Sequence, residues 1–351
     1  MALPRLRRVS CSGPGLTRRR RGKGFVYLDA AGQSVTDPVV LERIRALVIP
    51  PAWNDVWICP TPSGHIQATG MDARGRRQYR YHDVWRTQRD LAKHDRILEF
   101  ASRLPAARER IRADLVGTEL TRERVLACAV RLLDLGFFRI GGEQYAEENQ
   151  TYGLATMHKE HVRVAADGTL TFDYTAKSGK HLHKSLAEPE VAAVIGALKR
   201  RRGGGVELLA YRGPGGGWVD VKSGDINAYL RRATGGDDSA KDFRTWSATV
   251  LAAIGLSVST EVGSESARKR AVTRVVKEVS EKLGNTPAVC RSSYIDPRII
   301  DLYDNGLTIR DDLEQLGADA SYGEPAFQGA IEAAVLRLLR EDVAPALRKV
   351  G

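Results

Sequence analysis

Apolar positions along this 351-residue chain keep a strand-like rhythm near the start and a helical one over most of the remainder. FVYLD and the segment around Val56-Trp57-Ile58-Cys59 read as short strands, and between them Asp37-Pro38 forms a cap and first-turn pair that opens a helix through Leu41, Ile44 and Leu47. In HIQATGMDARGRRQYRYH, Asp72-Ala-Arg-Gly75 is a turn between β-rich flanks, so Gln78 to His82 is predicted to be the return strand of a hairpin. From about residue 91 helical spacing takes over. Val125, Leu126, Ala129, Leu132 and Leu133 share one face of a helix that runs out at Gly136 and leaves Arg139 just beyond it. Strands return between His161 and His183, with turns at Ala166-Asp-Gly168 and Ala176-Lys-Ser-Gly179 that put Lys177 on a hairpin tip. Helical spacing resumes at Val191, Val194, Ile195 and Leu198, and glycine runs at 203–205 and 213–217 bracket another strand. The longest well-patterned helix is expected from about Ser266 to Leu283, ended by Gly284-Asn285-Thr-Pro287. Two more helices are expected, at Arg298 to Gly306 and Ile331 to Leu347.

This pattern predicts an α+β protein in which a small β-rich N-terminal domain, residues 25–90, precedes a mostly helical domain with a β-hairpin, residues 91–351. With 42% hydrophobic residues the chain can fill both cores without staples. Cys11, Cys59, Cys128 and Cys290 form no Cys-x-x-Cys pair, which supports neither a disulfide framework nor a cysteine-built zinc site. The longest apolar stretch, Val250 to Val258, is far short of a membrane span, and no hydrophobic signal segment is read at the start. A soluble protein of the reducing cytoplasm is expected.

Net charge is +11, but residues 1–24 supply +8 of it through Arg5, Arg7, Arg8, Arg18, Arg19, Arg20, Arg21 and Lys23, with no acid among them. The expectation is a basic, flexible arm that touches phosphates. An arginine-rich, acid-free start also resembles a transit peptide in composition. No Gly-x-x-x-x-Gly-Lys-Ser/Thr is present, which argues against nucleotide-driven chemistry.

Five residues make a chemical set: Arg139 in FFRIGGEQY, Lys177 in YTAKSGK, Arg244 in KDFRTW, Asn285 in GNTPA, and Tyr294, nine residues after Asn285. Two guanidiniums, an ammonium, a neutral hydrogen-bond donor and a phenol suffice to cut a phosphodiester without metal. Each has a plainer reading by itself. Asn285 suits a helix C-cap, Tyr294 a packing role, Lys177 a turn, and the arginines suit surface ion pairs. Histidine offers a rival set, since His181 and His183 share a strand face with His158 and His161 nearby, but no carboxylate or cysteine at ligand spacing accompanies them and no metal is expected.

Order, spacing and neighbours together resemble the small type IB DNA topoisomerases of bacteria and large DNA viruses. Members of that group carry an arginine in a Phe/Arg-x-Gly context, a hairpin lysine, a Lys-Asp-x-Arg-Thr motif, and a Gly-Asn/His-Thr-Pro-Ala segment with its tyrosine nine residues on. The likeness spans about residues 25 to 310 and includes GRRQYRYH, which looks like the group's major-groove reader. It implies DNA contacts at Gln78, Tyr79 and Tyr81, and at Tyr145 beside EENQTYGL. Where viral members have histidine before Thr-Pro, Asn285 stands here as in bacterial members; an amide does not titrate, which excludes acid catalysis at that position.

The resemblance implies a fold of the tyrosine recombinase and type IB topoisomerase kind. It also implies relaxation of supercoiled duplex DNA through a 3′-phosphotyrosyl intermediate, with no cofactor, metal or nucleotide. Tyr294 would be the nucleophile, Arg139 and Arg244 the stabilisers of charge on phosphorus, Asn285 a further donor, and Lys177 the acid for the leaving 5′ oxygen. A monomer acting on the nucleoid is expected. A tyrosine recombinase shares this chemistry, but its usual His-x-x-Arg is here Lys241-Asp-Phe-Arg244. A non-catalytic architectural DNA-binding protein or a helical scaffold would need none of the five in order.

Overall fold

The computed structural model describes residues 5–136, 138–143, 146–147, 150–259, 264–316 and 325–341. The chain divides into two compact units, Met1–Asp95 and Arg96–Gly351.

The first unit is a five-stranded antiparallel sheet in the order β2-β1-β3-β4-β5. Its strands are β1 (Leu16–Arg21), β2 (Gly24–Leu28), β3 (Asn54–Ile58), β4 (Ile66–Met71) and β5 (Arg77–Tyr81). Helix α1 (Pro38–Ala46) begins as its sequence dictates, with the Asp37 carboxylate accepting from the Val39 N–H at 2.8 Å and Pro38 in the first turn. Ile44 from α1 joins Leu16, Val56, Ile58 and Ala68 in the core.

The basic arm is corrected in part. Residues 16–21 form β1 and pair with both β2 and β3. Leu16 is buried in the core, and the Arg18 guanidinium donates to the carbonyls of Ile49, Pro50 and Trp53. A strand needs only one buried anchor and a ladder of backbone bonds, so a run of arginines hides it from a reading based on apolar alternation.

The β4–β5 hairpin is held by its own turn. Asp72 Oδ1 accepts the N–H groups of Arg74 at 2.9 Å and Arg76 at 3.0 Å, and Asp72 Oδ2 takes the side chains of Arg76 and Gln78. The Arg76 N–H foremost, then the Arg76 side chain and the Arg74 N–H, pull the Asp72 carboxyl down to about 2.

Helix α2 (Asp83–Leu115) crosses the division between the units, and at 33 residues it exceeds the helix at Glu265–Leu283 that the sequence ranks longest. Its apolar stripe, Ile97, Phe100, Leu104, Ile111 and Leu115, begins only past the first third, and Pro105 interrupts the reading without ending the helix.

The second unit packs helices around α3 (Arg122–Gly136), whose residues Val125 to Val130 are wholly buried. A three-stranded antiparallel sheet follows, β6 (Val162–Val164), β7 (Thr169–Ala176) and β8 (Lys180–Ala187), then α4 (Pro189–Arg200) and the pair β9 (Ala210–Arg212) and β10 (Trp218–Asp220). After α5 (Ser223–Thr234) comes α6 (Ala240–Ser257), with 15 of its 18 residues buried. Helices α7 (Glu265–Leu283), α8 (Pro287–Ser293), α9 (Pro297–Asp304), α10 (Arg310–Leu316) and α11 (Pro325–Glu341) complete the unit.

A buried polar network ties these helices together. Arg108 bonds Asp134 and Glu332, Arg131 bonds Asp134 and Glu188, and Trp246 Nε1 donates to Glu332 at 3.0 Å. Charges taken from water this way persist only when each is paired. Among the described residues no helix is long and apolar enough to cross a membrane.

Candidate active site

Tyr294 is delivered by two abrupt helix ends. Helix α7 stops because Gly284 turns into the left-handed region at φ +65°, and the Asn285 N–H closes back onto the Ser280 carbonyl at 2.9 Å. The left-handed cap is thus Gly284, which leaves the Asn285 side chain available for other work. Thr286 caps α8 with Pro287 at its first position, and two turns later Tyr294 closes that helix through its N–H to Cys290 O at 3.0 Å. The nine-residue spacing is therefore one sharp turn plus one short helix.

Arg244 lies in the second turn of α6 and is 4% exposed, which removes it from the surface ion-pair class. Its guanidinium donates to Leu283 O at 2.6 Å and its central carbon sits 5.5 Å from the Tyr294 ring centroid. Arg139 follows α3, where Gly141 and Gly153 pack backbone to backbone. A Cβ on Gly153 would lie 2.4 Å from Gly141 Cα, so only glycine lets the Arg139 segment bond to Leu154 and Ala155. Arg139 donates to Gly284 O at 3.2 Å and to Asn285 Oδ1 at 2.5 Å. Arginine has no acceptor, so this contact orients the amide with its oxygen toward Arg139 and leaves Asn285 Nδ2 buried with no acceptor among the described residues. Lys177 stands exposed at the β7–β8 tip, in the short 3-10 turn Lys177–Gly179.

Arg139, Lys177, Arg244 and Tyr294 all line one cavity of about 280 Å³. Asn285 lines an adjoining cavity of about 650 Å³ that shares Arg139, Lys177 and Arg244. Burial alone would raise the Tyr294 phenol, but charge and hydrogen bonding from Arg244 and Arg139 outweigh it, and its pKa falls below the ordinary value of 10.0. Tyr174, buried on β7 under the same two arginines, goes the other way because burial dominates there. The arginines therefore select one phenol of two. Burial, with the like charge of Arg139, draws Arg244 down to about 10, which leaves it charged at neutral pH. The arrangement can stabilise a phenolate and a phosphorane-like anion at one place.

Sequence comparisons identify the family. The family model "Eukaryotic DNA topoisomerase I, catalytic core" matches residues 82–317, and "Bacterial DNA topoisomerase IB, N-terminal domain" matches residues 24–72. The chain belongs to the type IB DNA topoisomerases. "DNA topoisomerase 1B" of Acanthamoeba polyphaga mimivirus is 27% identical over 296 residues, covering 83% of this chain and 88% of the viral protein. "DNA topoisomerase 1" of Schizosaccharomyces pombe is 28% identical over 163 residues, which is 46% of this chain and 19% of the yeast protein. That of Mycosarcoma maydis is 26% identical over 230 residues, 60% of this chain and 22% of the fungal protein.

Within this topoisomerase the cavity holds groups to which the sequence reading gave no individual role. Thr151 lines it with a buried hydroxyl that has no partner among the described residues, and Tyr152 and Lys241 also line it. Lys241 and Arg244 lie three apart on α6, so helical spacing from the arginine could have found that lysine. Thr151 lies in the EENQTYGL segment, and the chain's return past Gly153 brings it there.

On β5, Tyr79 is exposed and stacks on Tyr81 at 6.0 Å between ring centroids, whereas the Gln78 amide is engaged by Asp72 at 2.9 Å. Tyr145 lies outside the described residues.

The histidines separate into two pairs. His181 and His183 both meet the Asp173 carboxylate, at 2.9 and 3.4 Å. His158 and His161 stack at 5.1 Å and, with Glu160, bring ligand atoms within 4.8 Å of one another. His161 Nδ1, however, accepts the His158 N–H at 3.1 Å, and burial and His158 push its pKa down. The neutral ring then carries its proton on Nε2, the nitrogen a metal would need bare. This trio fits a structural turn better than a metal centre.

Proposed function

We propose that this topoisomerase relaxes supercoiled duplex DNA by cutting one strand through Tyr294, without nucleotide or metal. The observation that carries the reading is the Tyr294 phenol, drawn toward ionisation by Arg244 and Arg139 inside a cavity that Lys177 also reaches.

In this mechanism Tyr294 Oη, its proton lost to solvent, attacks phosphorus and forms a 3′-phosphotyrosyl ester. The bond from phosphorus to the 5′ oxygen breaks, and Lys177 supplies the proton that this oxygen takes up. Arg139 and Arg244 balance the charge that grows on the nonbridging oxygens, and the unsatisfied Asn285 Nδ2 donates to one of them. Because the ester conserves the bond, the free 5′ hydroxyl reverses the step after strand rotation.

Gln78, Tyr79 and Tyr81 are proposed to contact the duplex from the first unit, with Tyr145 as a further contact. A monomer in the cytoplasm, bound to the nucleoid, suffices for this reaction.

The test is to incubate the protein with negatively supercoiled plasmid in EDTA without ATP. Relaxed topoisomers and a denaturant-resistant protein–DNA adduct are expected, and absence of both overturns the reading.

A further inference from the structure

The C-terminal end of α7 exposes three successive carbonyls, and a cation from a different element takes each one. Arg244 of α6 binds Leu283 O at 2.6 Å, Arg139 beyond α3 binds Gly284 O at 3.2 Å, and Lys180 of β8 binds Asn285 O at 3.3 Å. Helix ends leave carbonyls unsatisfied and carry partial negative charge, so they attract cations. Two of the three cations belong to the proposed chemistry; Lys180 has no part in it so far.

Asn285 is gripped at two points. Arg139 holds its side-chain oxygen and Lys180 holds its main-chain oxygen, which leaves the buried Nδ2 as the free end of the residue. Lys180 also opens the strand that leaves the Lys177 turn, so one contact joins the hairpin to the asparagine.

We infer that Lys180 is a positioning residue: it fixes Asn285 so that Nδ2 meets the nonbridging oxygen. The inference rests on the proposed DNA-cleaving reading. Electrostatic contacts of this kind at a helix end correspond to about a two- to five-fold change in rate.

The test measures single-turnover cleavage at saturating protein, together with DNA affinity across a salt series, for wild type, Lys180→Met, Lys180→Gln and Lys180→Arg. Cleavage by Lys180→Met and Lys180→Gln should slow about two- to five-fold with affinity and salt slope unchanged, and Lys180→Arg should restore the rate. In an Asn285→Ala background Lys180→Met should add nothing, because the group it positions is gone.

An unchanged rate in Lys180→Met overturns the inference, as does a full additional loss in the Asn285→Ala background. So does a weaker affinity with the salt slope reduced by about 0.9 and the saturated rate intact, which marks a direct phosphate contact instead. If wild type itself forms no covalent adduct, the underlying DNA-cleaving reading has failed instead, a result separate from all of these.

Discussion

The two hairpins of this protein are built alike and held differently. The β4–β5 hairpin turns through Asp72 to Gly75, and Asp72 alone binds two backbone N–H groups and two side chains of its own hairpin. The β7–β8 hairpin turns through Lys177 to Gly179, and its support comes from afar. Phe172 and Tyr174 are buried in the second core, and Lys180 reaches Asn285, 105 residues on. A hairpin closed by its own turn can present exposed aromatics such as Tyr79. One fastened by distant residues can place a lysine against groups from four other segments. The first arrangement suits binding, the second chemistry.

That contrast fails most visibly if the chemistry does not depend on the distant assembly. Tyr294→Phe should abolish both plasmid relaxation and the covalent adduct while duplex binding survives, since the arginines remain. A denaturant-resistant adduct in the variant would move the nucleophile elsewhere.

Lys177→Ala probes the tip itself. Cleavage of ordinary DNA should slow by a factor on the order of 10². A substrate with sulfur at the bridging 5′ position, whose leaving group needs no proton, should recover most of the rate. An equal defect on both substrates would remove the general-acid role.

The distant assembly should also be legible in pH. Because Arg244 and Arg139 lower the Tyr294 pKa, the wild-type cleavage rate should rise with pH through an inflection below the ordinary phenol value of about 10. Arg139→Ala should slow cleavage and shift that inflection upward, toward higher pH. An unchanged inflection would mean that the Arg139 cation does not set the phenol.

The smallest effect belongs to the self-contained hairpin. Asp72→Ala should speed amide hydrogen exchange at Arg74 and Arg76 and leave the saturated cleavage rate unchanged. Since the folded Asp72 carboxyl is depressed to about 2, its contribution is present above the unfolded value of about 3.9 and is lost as pH falls through about 2. Exchange protection in wild type should fade over that same window.

Legibility in the sequence follows the same division. Helix α1 was readable from Asp37-Pro38, the Asp72 turn from its residues, and the end of α7 from Gly284. The strand β1 was not, because four successive arginines mask a ladder made by backbone groups. The start of α2 was not, because its first turns lack an apolar stripe. The five candidate residues were readable as an ordered set. Their geometry was not, nor was the approach of Thr151 to them or of Lys180 to Asn285.

Sequence alone determined the elements whose stabilising contacts fall within a few residues: caps, turns, helix stops and apolar stripes. It also determined the chemical inventory, two guanidiniums, one lysine, an amide and a phenol. Tertiary structure decided what each of those groups does. Tyr174 and Tyr294 are the same residue under the same two arginines, yet one phenol is raised and the other lowered. The cost of burial and the pull of a neighbouring charge act through space, and only the packing of α6, α7 and the β7–β8 hairpin sets their balance.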